Sequence, residues 1–147
     1  MLAKTVCKLI LVDPKAHKLL LIRRSQTDDR RPGQWDLPGG MAESDETLEM
    51  AVARECQEET KIDIDPLKTR LLYTINDYFD QPKQLVNWLF FVAYTNQDKV
   101  SLSFEHDQHC WVSLATALEL VTYDRHKLLL KAIDQYQLVA ELMPIIT

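Results

Sequence analysis

The stretch from Glu46 to Glu59 constrains this chain more than any other, because it places carboxylates on the apolar side of a helix. A helix over residues 45–60, with about 100° of rotation per residue, puts Ala51 and Val52 on one side. The same construction places three glutamates on that side: Glu55, Glu58 and Glu59. A helix that buries its apolar side would therefore bury carboxylates too.

Buried carboxylates are unstable unless cations or hydrogen-bond donors compensate them. Three of them close together would also repel one another and take up protons. Oxygen ligands of this kind suit a hard divalent cation such as Mg²⁺, with Mn²⁺ as a substitute. The sequence thus predicts a metal-binding helix, and the alternative interpretation is a solvated acidic surface.

The glycines of the chain all lie just before this acidic stretch, between residues 33 and 40. Trp35–Leu37 is predicted to be a short strand, and Gly39-Gly40 a tight loop after it. Glycine allows positive φ angles and a close approach of the backbone to a ligand. We expect this loop to bring bare amide and carbonyl groups beside the acidic helix.

The combined pattern resembles the signature of the Nudix hydrolases. That signature is Gly, five residues, Glu, seven residues, Arg-Glu, an aliphatic, any residue, Glu-Glu, any residue, Gly and an aliphatic. The matching residues, within a segment that we call the acidic box (40–62), are Gly40, Glu46, Arg54, Glu55, Glu58, Glu59 and Ile62. Cys56 replaces an aliphatic residue, and Lys61 replaces the last glycine. That glycine would end the helix in the left-handed conformation, which costs another residue on the order of 1 kcal/mol.

The resemblance implies a metal-dependent pyrophosphatase that cleaves a nucleoside diphosphate linked to another group, by attack of water on phosphorus. It implies Glu55 and Glu59 as direct metal ligands and Glu58 as either a ligand or the general base. The carbonyl of Gly39 is a further expected ligand. By resemblance, the chain is thus expected to be a Nudix hydrolase with a Mg²⁺ cofactor and a small nucleotide substrate.

Several further residues receive expected roles. Glu46 and Arg54 are expected to form an ion pair that orients the site rather than touches the substrate. The general base stays open between a glutamate of the acidic box and Glu105, which lies in a later loop. His106 and His109 are expected to be ordinary loop histidines.

Recognition of the rest of the substrate is the least constrained point. The candidate residues for lining a substrate pocket are Arg23, Arg24, Tyr78, Phe79 and Trp88, although an aromatic residue on a strand more often belongs to the core. The substrate stays open among an ordinary or oxidised nucleoside triphosphate, a dinucleoside polyphosphate, a nucleotide sugar and capped RNA.

Periodicity predicts more strands than helices. The predicted strands are 5–12, 18–24, 35–37, 67–78, 84–95, 99–104 and 109–113, and the predicted helices are 45–60, 114–120 and 123–142. Helices in the middle and at the end suggest a mixed sheet covered on both faces. The resemblance implies the same α/β fold, an α/β/α sandwich, and the length suggests a single domain over residues 1–147.

Composition excludes several classes of function. The net charge of −5 argues against general binding to nucleic acid or to anionic membranes. Cys7, Cys56 and Cys110 are too widely spaced for a zinc site or a disulfide framework, and free thiols indicate a cytoplasmic protein. The apolar run 6–12 contains Lys8, so we expect a strand and not a membrane span. The oligomeric state is open, and a homodimer is compatible with the sequence.

Two alternatives to a hydrolase follow from the same residues. A catalytically inactive nucleotide sensor would keep the fold, but it would not need all three glutamates of the acidic box. Lys61 is the feature that favours this alternative. An isomerase of prenyl diphosphates would need a reactive cysteine in a pocket, which Cys56 and Cys110 are poorly placed to supply.

Overall fold

The fold is given by a computed structural model that describes residues 2–136. In these residues, four strands precede the first helix, and three further strands precede the last two helices. The strands are β1 (Leu2–Asp13), β2 (Lys18–Arg24), β3 (Trp35–Asp36), β4 (Gly39–Met41), β5 (Arg70–Asp80), β6 (Lys83–Tyr94) and β7 (His106–Val112). The helices are α1 (Leu48–Thr60), α2 (Leu114–Leu120) and α3 (Asp124–Tyr136), with a 3₁₀ turn at Pro66–Lys68.

Strand β1 is the centre of the sheet. It runs parallel to β6 along its whole length, from the pair Leu2–Gln84 to the pair Val12–Tyr94. The other strand pairs, β1–β2, β1–β4, β2–β3, β2–β7 and β5–β6, are antiparallel. The predicted mixed sheet is therefore confirmed.

The side chains of β1 alternate between two hydrophobic cores, one on each face of the sheet. Cys7, Leu9 and Leu11 pack in the core that α1 covers. Ile10 and Val12 pack in the core that α2 and α3 cover. Since successive residues of a strand point to opposite faces, both faces are apolar and both need a helical cover. The predicted α/β/α sandwich is confirmed.

The edge of β1 that faces away from β6 changes partner halfway along the strand. The gap between its two partners, β2 and β4, positions the functional site. Near its end β1 pairs with β2, while Val6, Cys7 and Lys8 pair with β4. Between these two contacts the Leu9 amide donates to the Pro38 carbonyl at 2.8 Å. The loop from Leu37 to Gly40 therefore lies against the middle of the central strand.

Helix α1 starts later than the sequence predicted. It begins at Leu48 instead of near residue 45, because Thr47 is the N-cap and its hydroxyl accepts the Met50 N–H at 3.1 Å. The preceding Glu46 carboxylate instead accepts the Glu43 N–H at 2.9 Å. The helix ends at Thr60, as predicted.

The predicted strand 99–104 is wrong. This segment is irregular, and its amides turn towards the end of α1: Ser101 N–H donates to the Thr60 carbonyl and Ser103 N–H to the Glu59 carbonyl. The carbonyls of the last helical turn lack partners within the helix, so they take these donors. Gly39–Met41, predicted as a loop, forms the short strand β4.

The remaining differences concern the ends of elements. β1 and β7 are longer than predicted, β5 begins at Arg70 after the 3₁₀ turn, and α3 is described only as far as Tyr136, so the predicted helix beyond it lies outside the described residues. Within residues 2–136, no helix is both long and apolar enough to span a bilayer.

Lys61 ends α1 in the left-handed conformation, with φ of 62° and ψ of 18°. Its N–H donates to the Gln57 carbonyl at 2.9 Å, which closes the last turn. The lysine thus adopts the geometry that a glycine would adopt at this position. The feature that favoured an inactive sensor therefore leaves the helix end unchanged.

We expect Lys61→Gly to stabilise the protein by up to about 1 kcal/mol, because glycine has no side-chain penalty at positive φ. Chemical denaturation measures the difference. His17→Gly is a matched control, since His17 has a φ of 55° and the same gain is expected. Gln57→Gly, inside the helix, should instead lose about 1 kcal/mol. A clear loss of stability in Lys61→Gly would contradict this account of the helix end.

Candidate functional site

Glu59 of α1 is a buried carboxylate that contacts the loop Leu37–Gly40, which we call the glycine loop. Its side chain is 7% exposed, and its Oε1 accepts the Gly39 N–H at 2.7 Å. Gly39 has a φ of +140°, and a Cβ there would lie 2.1 Å from the Cys7 carbonyl oxygen. Only glycine can bring its amide to Glu59 at this point of closest approach to β1.

The second oxygen of Glu59 faces His106. The Nε2 of His106 lies 3.5 Å from Glu59 Oε2, and the imidazole is buried in β7. The prediction of an ordinary loop histidine is therefore wrong for His106, because the sheet extends to this residue and turns its ring inward. Burial lowers the pKa of His106 to about 4, so the ring is neutral at pH 7.

Burial also raises the pKa of Glu59, to about 8. The negative charges of Asp36 and Glu55 act in the same direction, while Lys8 and the Gly39 N–H oppose the shift. A carboxylate with so few compensating donors is a group that a cation would stabilise.

Arg54 connects the other acids of the acidic box. Its guanidinium donates to both oxygens of Glu46, at 2.9 and 2.7 Å. Its Nη1 also donates to Glu55 at 3.0 Å and lies 3.4 Å from both oxygens of Glu58. The Glu46–Arg54 ion pair expected from the sequence is present in the structure, and the hydrogen bonds from Arg54 lower the pKa of Glu46 to about 2.

The three glutamates differ in their exposure to solvent. Their side chains are 7% exposed for Glu59, 18% for Glu55 and 55% for Glu58. The sequence predicted all three on the buried side of the helix, and this is wrong for Glu58. Ala51, Val52, Cys56 and Glu59 form a narrow buried stripe, and Glu58 lies at its edge. The three carboxylates therefore range from a buried one, Glu59, to a solvent-exposed one, Glu58.

Glu55 packs directly against the second glycine of the loop. A Cβ on Gly40 would lie 2.6 Å from the Glu55 carboxyl carbon. The bare backbone of Gly40 thus makes room for this carboxylate.

The donor set fits a hard divalent cation in its chemistry. Glu55, Glu58 and Glu59 offer carboxylate oxygens at successive depths, and the loop places the Gly39 backbone beside Glu59. In residues 2–136, no three His, Cys, Asp or Glu side chains converge as metal ligands, and Glu55 and Glu58 contact Arg54 instead. Their roles as ligands stay predictions.

A buried ionic cluster adjoins the loop, and sequence reasoning missed it. Lys8 Nζ lies 3.0 Å from Asp36 Oδ2, and His126 Nε2 lies 2.6 Å from Asp36 Oδ1. Burial raises the pKa of Asp36, but Lys8 and His126 outweigh that effect and hold it well below its usual range. The available signal was Lys8 within the apolar run 6–12, since a lysine buried in such a run needs a partner.

The arginines proposed for substrate binding are both paired within the protein. Arg23 forms a bidentate ion pair with Asp107, at 2.8 and 3.1 Å. Arg24 pairs with Asp28 at 2.6 Å, and its Nη1 also lies 3.7 Å from Asp36. Arg24 therefore borders the buried cluster beside the loop.

The aromatic residues proposed for the substrate pocket lie on β5 and β6. Tyr78 is 56% exposed and Phe79 42% exposed, at the end of the β5–β6 hairpin. Trp88 is half-buried, and its ring lies edge-on to His126 with 6.2 Å between centroids. Tyr78 and Phe79 are thus open to a ligand, whereas Trp88 belongs to the margin of the core.

Glu105 lies in the turn before β7. Its carbonyl accepts the Ser25 N–H at 2.9 Å, and its exposed side chain borders a surface cavity of about 170 Å³ together with Asp28 and Phe104. It immediately precedes His106, which contacts Glu59. His109 is exposed further along β7.

Solved structures of other proteins share this architecture. The domain family described as NUDIX domain matches residues 1–133. The chain belongs to the NUDIX domain family. The predicted family is therefore confirmed, and the match contains the whole acidic box and β7.

Individual relatives cover the domain to different extents. The chain is 34% identical over 113 residues, or 75% of its length, to an octanoyltransferase of Myxococcus xanthus. It spans 30% of the length of the curated relatives that it matches. A MutT protein from Methanosarcina mazei Go1 has a TM-score of 0.76 at 29% identity, covering 92% of this chain and 96% of that one. An Ap4A hydrolase of C. elegans has a TM-score of 0.66 at 24% identity, covering 90% and 97%.

The two glycines of the loop should respond differently to alanine. We expect Gly39→Ala to destabilise the protein by about 3 kcal/mol or more, because its Cβ would collide with backbone at an unfavourable φ. Gly40→Ala meets only the end of the Glu55 side chain, so its stability should change by at most about 1 kcal/mol. Urea denaturation compares the two variants. Equal losses would contradict the assigned packing of the loop.

In EDTA, the burial of Glu59 should make stability fall as pH rises. The unfolded carboxyl loses its proton near its ordinary pKa of 4.5, and the folded one near 8. Between these values the group favours unfolding by up to about 1.4 kcal/mol per pH unit, and above pH 8 the penalty is complete. Glu59→Gln removes the penalty, so its stability relative to the wild type should increase across this window.

The measurement is the free energy of unfolding from pH 4 to pH 9 in EDTA. Glu58→Gln is the matched control, because this side chain is exposed and its replacement should produce no such trend. A constant difference between Glu59→Gln and the wild type would show that Glu59 is already ionised in the folded protein.

Proposed function

We propose that this protein is a pyrophosphohydrolase that cleaves a nucleoside diphosphate linked to another group, with Mg²⁺ or Mn²⁺ held by the acidic box. The proposed ligands are the carboxylates of Glu55, Glu58 and Glu59 and the carbonyl of Gly39. Membership of the NUDIX domain family supports the reaction class. The main structural support for the proposal is the burial of Glu59 between the glycine loop and β7.

A diphosphate repels an attacking nucleophile, so its negative charge has to be neutralised. When bound, a divalent cation supplies that neutralisation and lowers the pKa of water. The protein supplies position: α1 fixes the spacing of the glutamates, and the Gly39 N–H holds one oxygen of Glu59 at 2.7 Å.

Arg54 has two functions in this proposal. Its bidentate bond to Glu46 anchors the guanidinium to the loop before α1. Its Nη1 compensates the negative charges of Glu55 and Glu58, the carboxylates that would hold the cation. Arg54 therefore keeps mutually repelling acids together before ligands bind, which is a form of preorganisation.

Glu58 and Glu105 are both placed where a general base can reach water. Glu58 is the most exposed of the three glutamates of the acidic box. Glu105 is exposed and immediately precedes His106, which contacts Glu59. Comparison of Glu58→Gln with Glu105→Gln at saturating metal separates them, since loss of the base lowers kcat.

The nucleotide part of the substrate is proposed to lie between Arg24 and the exposed aromatics of the β5–β6 hairpin. Tyr78 and Phe79 offer ring faces for stacking. Similarity to an Ap4A hydrolase makes dinucleoside polyphosphates one class to test, beside nucleoside triphosphates and nucleotide sugars.

The isomerase alternative receives no support from the cysteines near α1. Cys7 and Cys56 are fully buried, and burial raises the pKa of each thiol to about 11. A reactive cysteine needs an accessible thiolate.

The test is release of phosphate or pyrophosphate from a panel of nucleotides in Mg²⁺, in Mn²⁺ and in EDTA. We expect metal-dependent cleavage of at least one class. Glu59→Gln should lower that rate by orders of magnitude while the fold is retained, because it removes a ligand carboxylate. His109→Gln, a change at an exposed site on β7, is the control and should keep the wild-type rate.

The panel contains nucleoside triphosphates, oxidised guanine nucleotides, dinucleoside polyphosphates and ADP-ribose. Full activity in Glu59→Gln would overturn the proposed metal centre. Absence of cleavage throughout, with nucleotide binding still detected by thermal shift, would favour the inactive sensor.

A further inference from the structure

Hydrogen bonds at both ends of the Leu37–Gly39 backbone connect helix α3, on the opposite side of the sheet from α1, to the Glu59 carboxylate. His126, the third residue of α3, lies 2.6 Å from Asp36 Oδ1 through its Nε2. The same Asp36 oxygen accepts the Leu37 N–H at 2.7 Å. The Asp36 carboxylate therefore fixes the first residue of the glycine loop.

The rest of this loop is fastened residue by residue. Lys8 Nζ donates to Asp36 Oδ2 at 3.0 Å and to the Leu37 carbonyl at 3.2 Å. The Leu9 N–H donates to the Pro38 carbonyl, and the next residue, Gly39, donates its N–H to Glu59. The path of contacts therefore runs from His126 through Asp36 and Leu37 to Gly39.

Only one ring nitrogen of His126 has a hydrogen-bond partner among the described residues. Its Nε2 faces an ionised carboxylate and thus carries the proton, while its Nδ1 has no hydrogen-bond partner there. Phe90, Trp88 and Tyr123 surround the ring, with centroids 4.8 to 6.2 Å away. The aromatic packing fixes the ring plane, so the Nε2–H bond holds Asp36 Oδ1 in one direction.

Asp36 would keep other partners without His126. Lys8 and the Leu37 N–H still compensate its charge, and Arg24 lies 3.7 Å away. Removal of the imidazole therefore leaves a charged group that is still paired, and the fold should survive. Without His126, the orientation of the Asp36 carboxylate is no longer fixed, and the position of the loop backbone that it holds changes with it.

We propose that His126 is a positioning residue for the metal centre, which it holds through Asp36 and the Leu37–Gly39 backbone. This inference rests on the proposed function, because Gly39 and Glu59 are proposed metal ligands. His126 touches neither substrate nor metal. It sets the place of the Gly39 carbonyl and of the amide that holds Glu59.

The test is Mn²⁺ binding to the whole protein, followed by electron paramagnetic resonance of free Mn²⁺. We expect His126→Leu, which fills the space without a donor, to bind Mn²⁺ about 10-fold or more weakly, as changes to groups that orient metal ligands do. His126→Gln places an amide N–H near the position of Nε2 and should restore affinity to within a few-fold of the wild type. His126→Asn is too short to reach Asp36 and should resemble His126→Leu.

Leu130→Ala is the matched control for a merely structural effect. Leu130 is fully buried on the same helix, so its truncation lowers stability without touching Asp36. We expect its Mn²⁺ affinity to stay at the wild-type level. If His126→Leu fails to fold, the comparison of His126→Gln with His126→Asn carries the test.

Wild-type Mn²⁺ affinity in His126→Leu or His126→Asn would overturn the inference, and so would an equal weakening in Leu130→Ala. These outcomes leave the proposed function intact, provided that the wild type binds Mn²⁺ and Glu59→Gln does not. Failure of the wild type to bind Mn²⁺, or unchanged binding in Glu59→Gln, would overturn both proposals.

Discussion

The contact between the Gly39 amide and the Glu59 carboxylate is the point on which the arrangement of this protein depends. It joins the glycine loop, which lies on the central strand, to the helix that carries the acids. The contact requires a residue without a side chain, because a Cβ on Gly39 would overlap the Cys7 carbonyl. It also requires Glu59 to be buried, which raises its pKa and prepares it for a cation. The close packing of the Gly39 backbone and the raised pKa of Glu59 therefore both arise where α1 packs against the glycine loop.

The two faces of the sheet contribute differently to this point. The α1 face supplies the carboxylates, with Arg54 compensating the more exposed ones. The α3 face supplies Lys8, Asp36 and His126, which fasten the loop from behind. The opening along β1, where its pairing passes from β2 to β4, allows groups from both faces to meet. A site at such an opening can be rigid on one side and open to solvent on the other.

Local rules predicted those features that depend on neighbours in sequence. The spacing of Glu55 and Glu59 on a helix, the end of that helix at Thr60 and the helix Leu114–Leu120 all follow from periodicity and capping. The β-branched and aliphatic residues of 5–12 predicted a strand. The strand 99–104 failed, because its amides found the free carbonyls at the end of α1 instead of a neighbouring strand. Propensity contains no information about such a partner.

The sequence by itself determined the family, most of the order of elements and the group of acids, because these are encoded in residue types at fixed spacings. Only the tertiary structure decided which acid is buried, since the depth of Glu59 and the exposure of Glu58 depend on how α1 packs on the sheet. It also decided that His106 and His126 are interior groups. Their partners, Glu59 and Asp36, are distant in sequence, and a hydrogen bond between distant residues exists only once the chain has folded.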